Sequence, residues 1–368
     1  MNTNKAHFEV RAPGRAEVLG NHTDYNEGLV LSIAIHVGTT IEVKPLEGRT
    51  LRLASRGLGQ EWEGNLDHLE PLTSPGPTWP NYIIGVAQGL MDRGVSLHGA
   101  EFCISSNLPI GAGLSSSAAL EMAAVLAFQN RCHFEMTALD LARVGQSAEH
   151  RFAGVKCGLL DQISVLCGKK NHLTFIDCRS FEIRHLPFPD DWVFVLAHSG
   201  VNHALTGGEY NERREACERA AAALGLRSLR DITPGELDAR QDELDSLTFR
   251  RAMHPVGETA RVAHAVSCLA RGDADSFGRL MRESHDSSIR YFENSCPELD
   301  FLVDTACAHP ACAGARLSGG GFGGATINLV RAKQVEEFSK ALSGAYLAHY
   351  GSEPLLLSTA PCDGAQVV

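Results

Sequence analysis

Residues 108–120 limit what this chain can fold into more than any other stretch. Pro109, Gly111 and Gly113 form a loop, three serines follow, and residues 118–128 are good helix formers. A glycine turn that leads into a helix leaves backbone N–H groups unpaired, and these groups, with the positive end of the helix dipole, favour an anion, most often phosphate. The spacing matches neither G-x-x-x-x-G-K-S/T nor G-x-G-x-x-G, so a serine-capped surface helix stays open as the alternative.

The length and charge of the chain bound its class. With 368 residues it exceeds the size at which single cores stop growing, so we expect two packed domains. The net charge of −11 argues against general binding to nucleic acid or anionic membranes. The eleven cysteines are scattered without a C-x-x-C pair, and we expect neither a signal peptide nor a membrane span. These features predict a cytoplasmic protein with reduced thiols.

Apolar segments alternating with turn signals predict a chain of mixed helices and strands. Residues 8–10 form a predicted strand that runs into a turn at residues 11–15, residues 29–35 form the next strand, and residues 56–80 are mostly loop. We predict a domain boundary near residue 186. Further strands are predicted at residues 39–43, 51–54, 99–105, 173–177, 181–186, 192–197, 314–317 and 325–330, and helices at residues 79–92, 118–128, 137–152, 209–224, 258–270, 273–284, 295–308 and 333–346.

Two polar features stand out among these apolar segments. Residues 20–28 are a polar loop between two apolar strands, which is a normal place for a binding site but equally for a solvated turn. Asp161 lies in the apolar run of residues 158–162, where a charged group needs a partner. The alternative for Asp161 is the N-cap of the helix that follows.

Three stretches together resemble the GHMP small-molecule kinases: residues 14–25, residues 108–120 and the glycine-rich residues 314–324. Within that family, residues 14–25 are similar to the signature of the members that phosphorylate galactose. The resemblance implies an α+β fold of two domains with the active site in the cleft between them, which we place at residues 1–185 and 186–368. Shorter matches lie between the three stretches at residues 79–82, 148–150, 157–162 and 208–210.

The resemblance also implies roles at the nucleotide. The loop of residues 111–117 would wrap the phosphates of ATP, and Ser117 and Glu149 would hold Mg²⁺, a hard cation that suits hydroxyl, carboxylate and phosphate oxygens. Asp161 matches the catalytic aspartate of the family, and Arg15 matches the arginine near it. The implied nucleotide-binding set is Trp79, Gly111, Ala112, Gly113, Leu114, Ser115, Ser116, Ser117, Gly320 and Gly321.

The residue types suit the implied reaction. A carboxylate within hydrogen-bond reach of a substrate hydroxyl can accept its proton beside a γ-phosphoryl group. Arg15 would favour the ionised form of Asp161 and counter charge on the transferring group. The sequence leaves open whether Asp161 takes the proton early or mainly orients the hydroxyl.

The sugar end of the implied site departs from the family pattern. The usual residues are Asn where this chain has Glu17 and Glu where it has Asn21, and that glutamate contacts the C6 hydroxymethyl of galactose. An amide at position 21 can still hydrogen-bond there, and it removes a charge that would repel a C6 carboxylate. We expect His22 to be a hydrogen-bonded structural residue rather than a base. The implied sugar-contacting set is Asn21, His22, Thr23, Asp24, Gly158 and Tyr210.

The leading hypothesis is ATP-dependent phosphorylation of the anomeric hydroxyl of galactose, which gives galactose 1-phosphate and ADP. The alternative in the same class is a kinase of a related sugar: galacturonate, N-acetylgalactosamine or arabinose. A non-catalytic regulator that binds sugar and ATP is the alternative from another class, and the complete serine loop with Arg15 and Asp161 disfavours it. The expected partners are small molecules, with neither nucleic acid nor membrane, and the expected state is a monomer or weak dimer.

Overall fold

The computed structural model describes residues 7–109, 111–202 and 208–368, and these form two β-sheets with helices packed around them. The larger sheet has the order β12-β1-β2-β5-β3-β4, and β6 joins β2 to β7. Strands β3 and β5 are parallel, and the other pairs of this sheet are antiparallel. Its strands are β1 (Phe8–Leu19), β2 (Leu29–Pro45), β3 (Thr50–Ser55), β4 (Gln60–Asn65), β5 (Ala100–Ser106), β6 (His172–Asp177), β7 (Ile183–Pro187) and β12 (Gln366–Val367).

The smaller sheet is antiparallel throughout and has the order β11-β8-β10-β9. Its strands are β8 (Trp192–Asn202), β9 (Cys312–Ser318), β10 (Gly323–Arg331) and β11 (Leu355–Thr359). The helices are α1 (Asn81–Met91), α2 (Ser116–Cys132), α3 (Ala138–Ala148), α4 (Leu160–Cys167), α5 (Gly208–Ala223), α6 (Pro234–Ala239), α7 (Ser246–Ala270), α8 (Ala274–Ser287), α9 (Pro297–Ala308) and α10 (Val335–Tyr350).

Helix α2 is the element that fixes the predicted phosphate loop in space. It packs on β1 and β2, and its Ala118, Met122 and Val125 are fully buried. Phe128 on the same helix lies 5.0 Å, centroid to centroid, from Phe102 of β5. Because this apolar face is anchored in the core, the first turn of α2 is held rigidly where the loop ends.

The turn predicted at residues 11–15 is wrong. Strand β1 continues through it to Leu19 and pairs with β2 along its length. Pro13 and Gly14 do signal a break, but the register shift between them absorbs the irregularity and the ladder resumes on the other side. Residues 56–80 are mostly loop, as predicted, apart from β4, which pairs with β3.

The predicted boundary at residue 185 lies inside β7, and β12 returns from the end of the chain to pair with β1. The division into residues 1–185 and 186–368 therefore stays a prediction. All eleven cysteines are free thiols. Within residues 7–109, 111–202 and 208–368, every helix is too short or too polar to cross a membrane.

Candidate active site

The loop before α2 has the backbone expected of an anion-binding turn. Gly111 and Gly113 have φ of 73° and 68°, and Ser115, directly before the helix, has a φ of 56° that only a few per cent of non-glycine residues adopt. The Ser115 side chain makes no capping hydrogen bond to the helix, so the alternative of a serine-capped surface helix is not supported. Ile110, between these glycines and Pro109, lies outside the described residues.

Asp161 lies in the first turn of α4, and its carboxylate points away from the helix backbone. It accepts hydrogen bonds from Arg15 Nε at 2.7 Å and from Ser115 Oγ at 2.5 Å. The residue at the N-cap position is Leu159, so the N-cap alternative for Asp161 is wrong. The structure thus brings together the predicted catalytic carboxylate, the predicted arginine and the start of the phosphate loop.

Arg15 is buried on β1 and connects that strand to the loop. Its Nη1 donates to the carbonyl oxygen of Gly113 at 2.7 Å, and its backbone N–H donates to the carbonyl oxygen of Leu114 at 3.1 Å. Burial alone would lower the pKa of Arg15, but the charges of Asp161 and Glu17 raise it above its ordinary value. The guanidinium therefore stays charged beside Asp161.

Glu149 follows α3 on a single π-helical turn, a local widening that often marks functional sites. The Ser117 side chain hydrogen-bonds to it, and Cys157 Sγ donates to its Oε2 at 2.6 Å. Burial raises the pKa of Glu149, and the charge of Asp161 adds to this, while the hydrogen bonds oppose it.

The oxygen atoms of Ser117 and Glu149 fit a Mg²⁺ ion. Nowhere in the described part of the chain do three or more His, Cys, Asp or Glu side chains cluster as a metal site. Mg²⁺ keeps most of its coordination for water and substrate phosphate and takes one or two groups from the protein, so the two oxygen-bearing side chains are enough to hold it.

Asp24 and Gly158 come into direct contact at the sugar end of the site. A Cβ built on Gly158 would overlap Oδ2 of Asp24, so only glycine lets this carboxyl lie where it does. Burial raises the pKa of Asp24 to about 7, and the charges of Asp161 and Glu17 contribute. A cavity of about 140 Å³ opens beside Asp24 and Gly158.

Tyr210 and His22, two further members of the predicted sugar set, lie side by side. The rings of Tyr210 and His22 lie 5.1 Å apart, centroid to centroid. His22 Nδ1 pairs with the Tyr25 hydroxyl at 2.8 Å and Nε2 with the Gly320 carbonyl oxygen at 3.1 Å, and burial lowers its pKa to about 4. This agrees with a structural rather than a basic His22, and a sugar contact there would require one bond to be exchanged.

Thr23 lies inside the polar loop. Its hydroxyl is fully buried and lies 2.7 Å from the carbonyl oxygen of Gly20 and 2.8 Å from that of Leu29, where it closes the loop on itself. The sugar contact predicted for Thr23 stays a prediction, with the added condition that one of these internal bonds be exchanged.

Asn21 is 1% exposed, and its amide is hydrogen-bonded within the protein. Its Nδ2 donates to Glu17 Oε1 at 3.0 Å and to the Gly319 carbonyl oxygen at 2.7 Å, and its Oδ1 accepts from Asn294 Nδ2 at 3.0 Å. The sugar contact predicted for Asn21 stays a prediction, with the added condition that an internal bond be exchanged.

Glu17 has a second partner in the smaller sheet. Arg316 of β9, whose side chain is 0% exposed, donates from Nη1 to Glu17 Oε1 at 2.9 Å. Burial raises the pKa of Glu17, while Arg316 and Arg15 oppose the shift. The two departures from the family pattern, Glu17 and Asn21, are thus hydrogen-bonded neighbours.

Glu258 of α7 holds the polar loop, a role that the sequence did not reveal. Its Oε2 accepts from the backbone N–H groups of Gly20 and Asn21 at 3.1 and 3.0 Å, and its Oε1 accepts from Arg261 at 2.6 Å. Burial alone would raise the pKa of Glu258, but Arg261 and other charges bring it well below its ordinary value. The carboxylate fastens the polar loop to α7.

The glycine-rich residues 318–324 lie against the phosphate loop. A Cβ on Gly319 would be 3.3 Å from the Gly113 carbonyl oxygen, and one on Gly320 would be 3.5 Å from the Tyr210 ring. One on Gly321 would overlap the backbone of Asn294, which explains a glycine there. The predicted neighbourhood of these two loops is confirmed.

Trp79 lies just before α1, and its indole N–H donates to Gln60 Oε1 of β4 at 2.9 Å. Its predicted contact with the nucleotide stays a prediction. A more spacious cavity, about 640 Å³, is bordered by residues such as Pro13, His36 and Asn107 and by none of the predicted site residues.

Comparison with known proteins agrees with this geometry. Residues 2–45 match the galactokinase galactose-binding signature, residues 81–169 the N-terminal domain of GHMP kinases and residues 265–348 their C-terminal domain. The chain is 42% identical to a galactokinase of Chloroflexus aggregans over 93% of this chain and 88% of the relative. It is 41% identical to the human galactokinase over 98% of this chain and 92% of the relative.

A solved structure extends the likeness to three dimensions. The galactokinase of Lactococcus lactis, crystallised with galactose, superposes with a TM-score of 0.94 at 31% identity, over 99% of this chain and 95% of that one. With a relative more than 40% identical along nearly its whole length, the chain belongs to the GHMP kinases and, within them, to the galactokinase family.

Proposed function

We propose that this protein transfers the γ-phosphoryl group of ATP to the anomeric hydroxyl of galactose, giving galactose 1-phosphate and ADP. The observation that carries the proposal is the position of Asp161. Its carboxylate lies between a helix-terminal glycine loop and a loop similar to the galactose-binding signature, and it is held by Arg15 and Ser115.

Asp161 accepts a hydrogen bond from the sugar hydroxyl and so directs a lone pair of that oxygen at the γ-phosphorus. Arg15 holds the carboxylate in place, because its Nε donates a charge-assisted hydrogen bond to Asp161 Oδ1 at 2.7 Å. As the bond from sugar oxygen to phosphorus forms and the bond to the leaving oxygen of ADP breaks, Asp161 receives the hydroxyl proton.

The phosphates of ATP lie against the start of α2. Backbone N–H groups of residues 111–117 and the positive end of the helix dipole stabilise their charge. Ser117 and Glu149 would hold Mg²⁺, which would supply positive charge against the negative charge that develops on the phosphates. The Arg15 guanidinium adds a second positive charge near the transferring group.

Asp24, Gly158 and Tyr210 form the sugar-binding part of the site. The Asp24 carboxyl can accept bonds from ring hydroxyls, and Gly158 leaves room for it. The Tyr210 ring offers an apolar face for the C–H side of a pyranose. Glu258 positions this part by holding the backbone of Gly20 and Asn21.

An ADP-release assay with a sugar panel tests the proposal. We expect turnover that depends on galactose and falls by about two orders of magnitude or more in Asp161→Asn, which keeps the shape but loses the proton acceptor. ATP binding should change little in this variant. Galactose-independent ATP hydrolysis alone, or a clear preference for galacturonate, N-acetylgalactosamine or arabinose, would contradict the substrate assignment.

Three further features belong to the same proposal: the oligomeric state, the location in the cell and the division into two lobes. The protein acts on two small molecules as a monomer or weak dimer, in the cytoplasm, and its two lobes divide near residue 185. Sedimentation at micromolar concentration tests the oligomeric state, and limited proteolysis tests the division.

A further inference from the structure

Gln162 follows Asp161 on α4. It is 0% exposed. Its Nε2 donates to Oε2 of Glu121 at 3.0 Å and to Oε2 of Glu149 at 3.4 Å. One amide nitrogen therefore connects two carboxyl groups that come from α2 and from the π-helical turn after α3.

Glu121 has no part in the mechanism above, yet it is 0% exposed and lies one helical turn after Ser117. Among the residues that the structure describes, neither its Oε1 nor the Oε1 of Gln162 has a hydrogen-bond partner. A buried carboxyl without complete hydrogen bonding is costly, so its presence needs a reason.

The space around the pair is shaped by a glycine. A Cβ on Gly145 of α3 would be 2.4 Å from Met122 Cε, 3.0 Å from Glu121 Oε2 and 3.1 Å from Gln162 Cγ, closer than side chains normally approach. Helix α3 thus approaches the Glu121–Gln162 bond closely only because residue 145 has no side chain.

An amide suits this position for a chemical reason. Its two N–H bonds serve two carboxyl oxygens at once, and it adds no charge between them. Gln162 and Cys157 both donate to Oε2 of Glu149, so they fix the rotation of that carboxylate from the side facing the core.

We propose that Gln162, held by Glu121, is a positioning residue that orients Glu149 toward Mg²⁺. This inference rests on the proposed function, in which Glu149 is a metal ligand. When a group that hydrogen-bonds to a metal-ligating side chain is removed, the affinity for the metal typically falls by about 10–100-fold. Gln162 acts in this way through Glu149 and does not touch the metal or the substrates.

The test measures metal binding directly. Mn²⁺ is titrated into protein saturated with a non-hydrolysable ATP analogue, and free Mn²⁺ is followed by electron paramagnetic resonance. Gln162→Met keeps the volume and removes the donor, and we expect its Kd for Mn²⁺ to rise about tenfold. Galactose affinity without nucleotide, measured by calorimetry, should stay unchanged. At saturating Mg²⁺, kcat should recover toward that of the unaltered protein.

Ser164→Ala is the matched control. Ser164 is equally buried on the same helix and bonds to Ser32 and to the Leu160 carbonyl oxygen, away from both carboxyls. Ser164→Ala should lower the thermal unfolding midpoint and leave the Mn²⁺ affinity unchanged. A Gln162→Met variant that loses stability like this control but keeps its Mn²⁺ affinity overturns the inference.

Two further variants separate the possible failures. Glu149→Gln is the reference. If Glu149→Gln keeps full Mn²⁺ affinity, the metal-ligand role in the proposed function fails. If Glu149→Gln loses Mn²⁺ affinity but Gln162→Met keeps it, only the positioning role of Gln162 fails. If Gln162→Met does not fold, Glu121→Met decides, because it removes the acceptor that holds Gln162 Nε2 and should weaken Mn²⁺ binding severalfold. Unchanged Mn²⁺ binding in a folded Glu121→Met overturns the inference.

Discussion

Exchanging Glu17 and Asn21 tests whether the two departures from the family pattern act as one unit. Glu17→Asn removes the partner that Arg316 Nη1 contacts at 2.9 Å. The side chain of Arg316 is 0% exposed, and stranding a buried charge in this way costs about 3–5 kcal/mol. This loss of unfolding free energy comes from the Arg316 guanidinium that is left buried without its partner. The Glu17–Arg316 pair itself adds little stability, because burial opposes the charge on Glu17.

Asn21→Glu places a second carboxylate beside the first. Asn21 Nδ2 lies 3.0 Å from Glu17 Oε1, so the new carboxylate would lie at about that distance. At an effective dielectric constant near 20, like charges 4 Å apart repel by about 4 kcal/mol. The bond to the Gly319 carbonyl oxygen is also lost, because a carboxylate cannot donate.

The double variant restores one carboxylate and one amide. The carboxylate at position 21 would lie within about 6 Å of Arg316, where attraction at the same dielectric constant is about 3 kcal/mol. We therefore expect the double variant to be more stable than the sum of the two single effects by about 2–3 kcal/mol.

Urea unfolding of the four proteins at pH 7 measures this coupling. The cycle uses the free energies of unfolding, with m-values compared to check that the transition stays two-state. Single effects that add to within about 0.5 kcal/mol would refute the reasoning, since residues in contact with a shared charged partner should not be independent.

The same variants test the sugar contact at position 21. The ratio of kcat/KM for galactose to that for galacturonate should rise in Asn21→Glu, because a carboxylate near C6 repels a sugar acid. An unchanged ratio would mean that Asn21 acts only through its internal bonds to Glu17, Gly319 and Asn294.

The start of α2 and the order of elements could be predicted because they depend on local signals. Helix α2 begins at Ser116, next to the predicted start, and Thr137 caps α3 by accepting from the Asp140 backbone N–H. The turn at residues 11–15 failed for the opposite reason. Pro13 and Gly14 are local turn signals, and a long ladder with β2 overrides them.

The site could be predicted only where short motifs carry it. Arg15 and Asp161 are 146 positions apart in sequence. From the sequence, only the family resemblance predicts that they share one site. Glu258 and Arg316 lie on elements far along the chain from the polar loop that they hold. Nothing in their local sequence signals this role, because it depends on tertiary packing. Glu121 had a signal, the four-residue spacing from Ser117 on one helix face.

Three predictions remain, and each concerns one carboxyl group. Asp161→Asn should reduce kcat by about two orders of magnitude or more and leave ATP affinity measured by calorimetry nearly unchanged; near-normal turnover would remove Asp161 from the catalytic role. Glu258→Gln should lower the free energy of unfolding by about 2–3 kcal/mol and raise the KM for galactose, because the polar loop loses charge-assisted bonds; wild-type urea unfolding would contradict this. Asp24 has a pKa of about 7 without ligand, so it is largely protonated below that pH and ionised above it. Sugar hydroxyls that donate to its carboxylate favour the ionised form, so binding must release a proton below pH 7. The Kd for galactose should therefore rise by up to about tenfold for each unit below pH 7 and level off above it. Asp24→Asn should bind more weakly without this dependence, and a wild-type Kd that stays flat from pH 5.5 to 8 would show that the Asp24 carboxylate does not accept from the sugar.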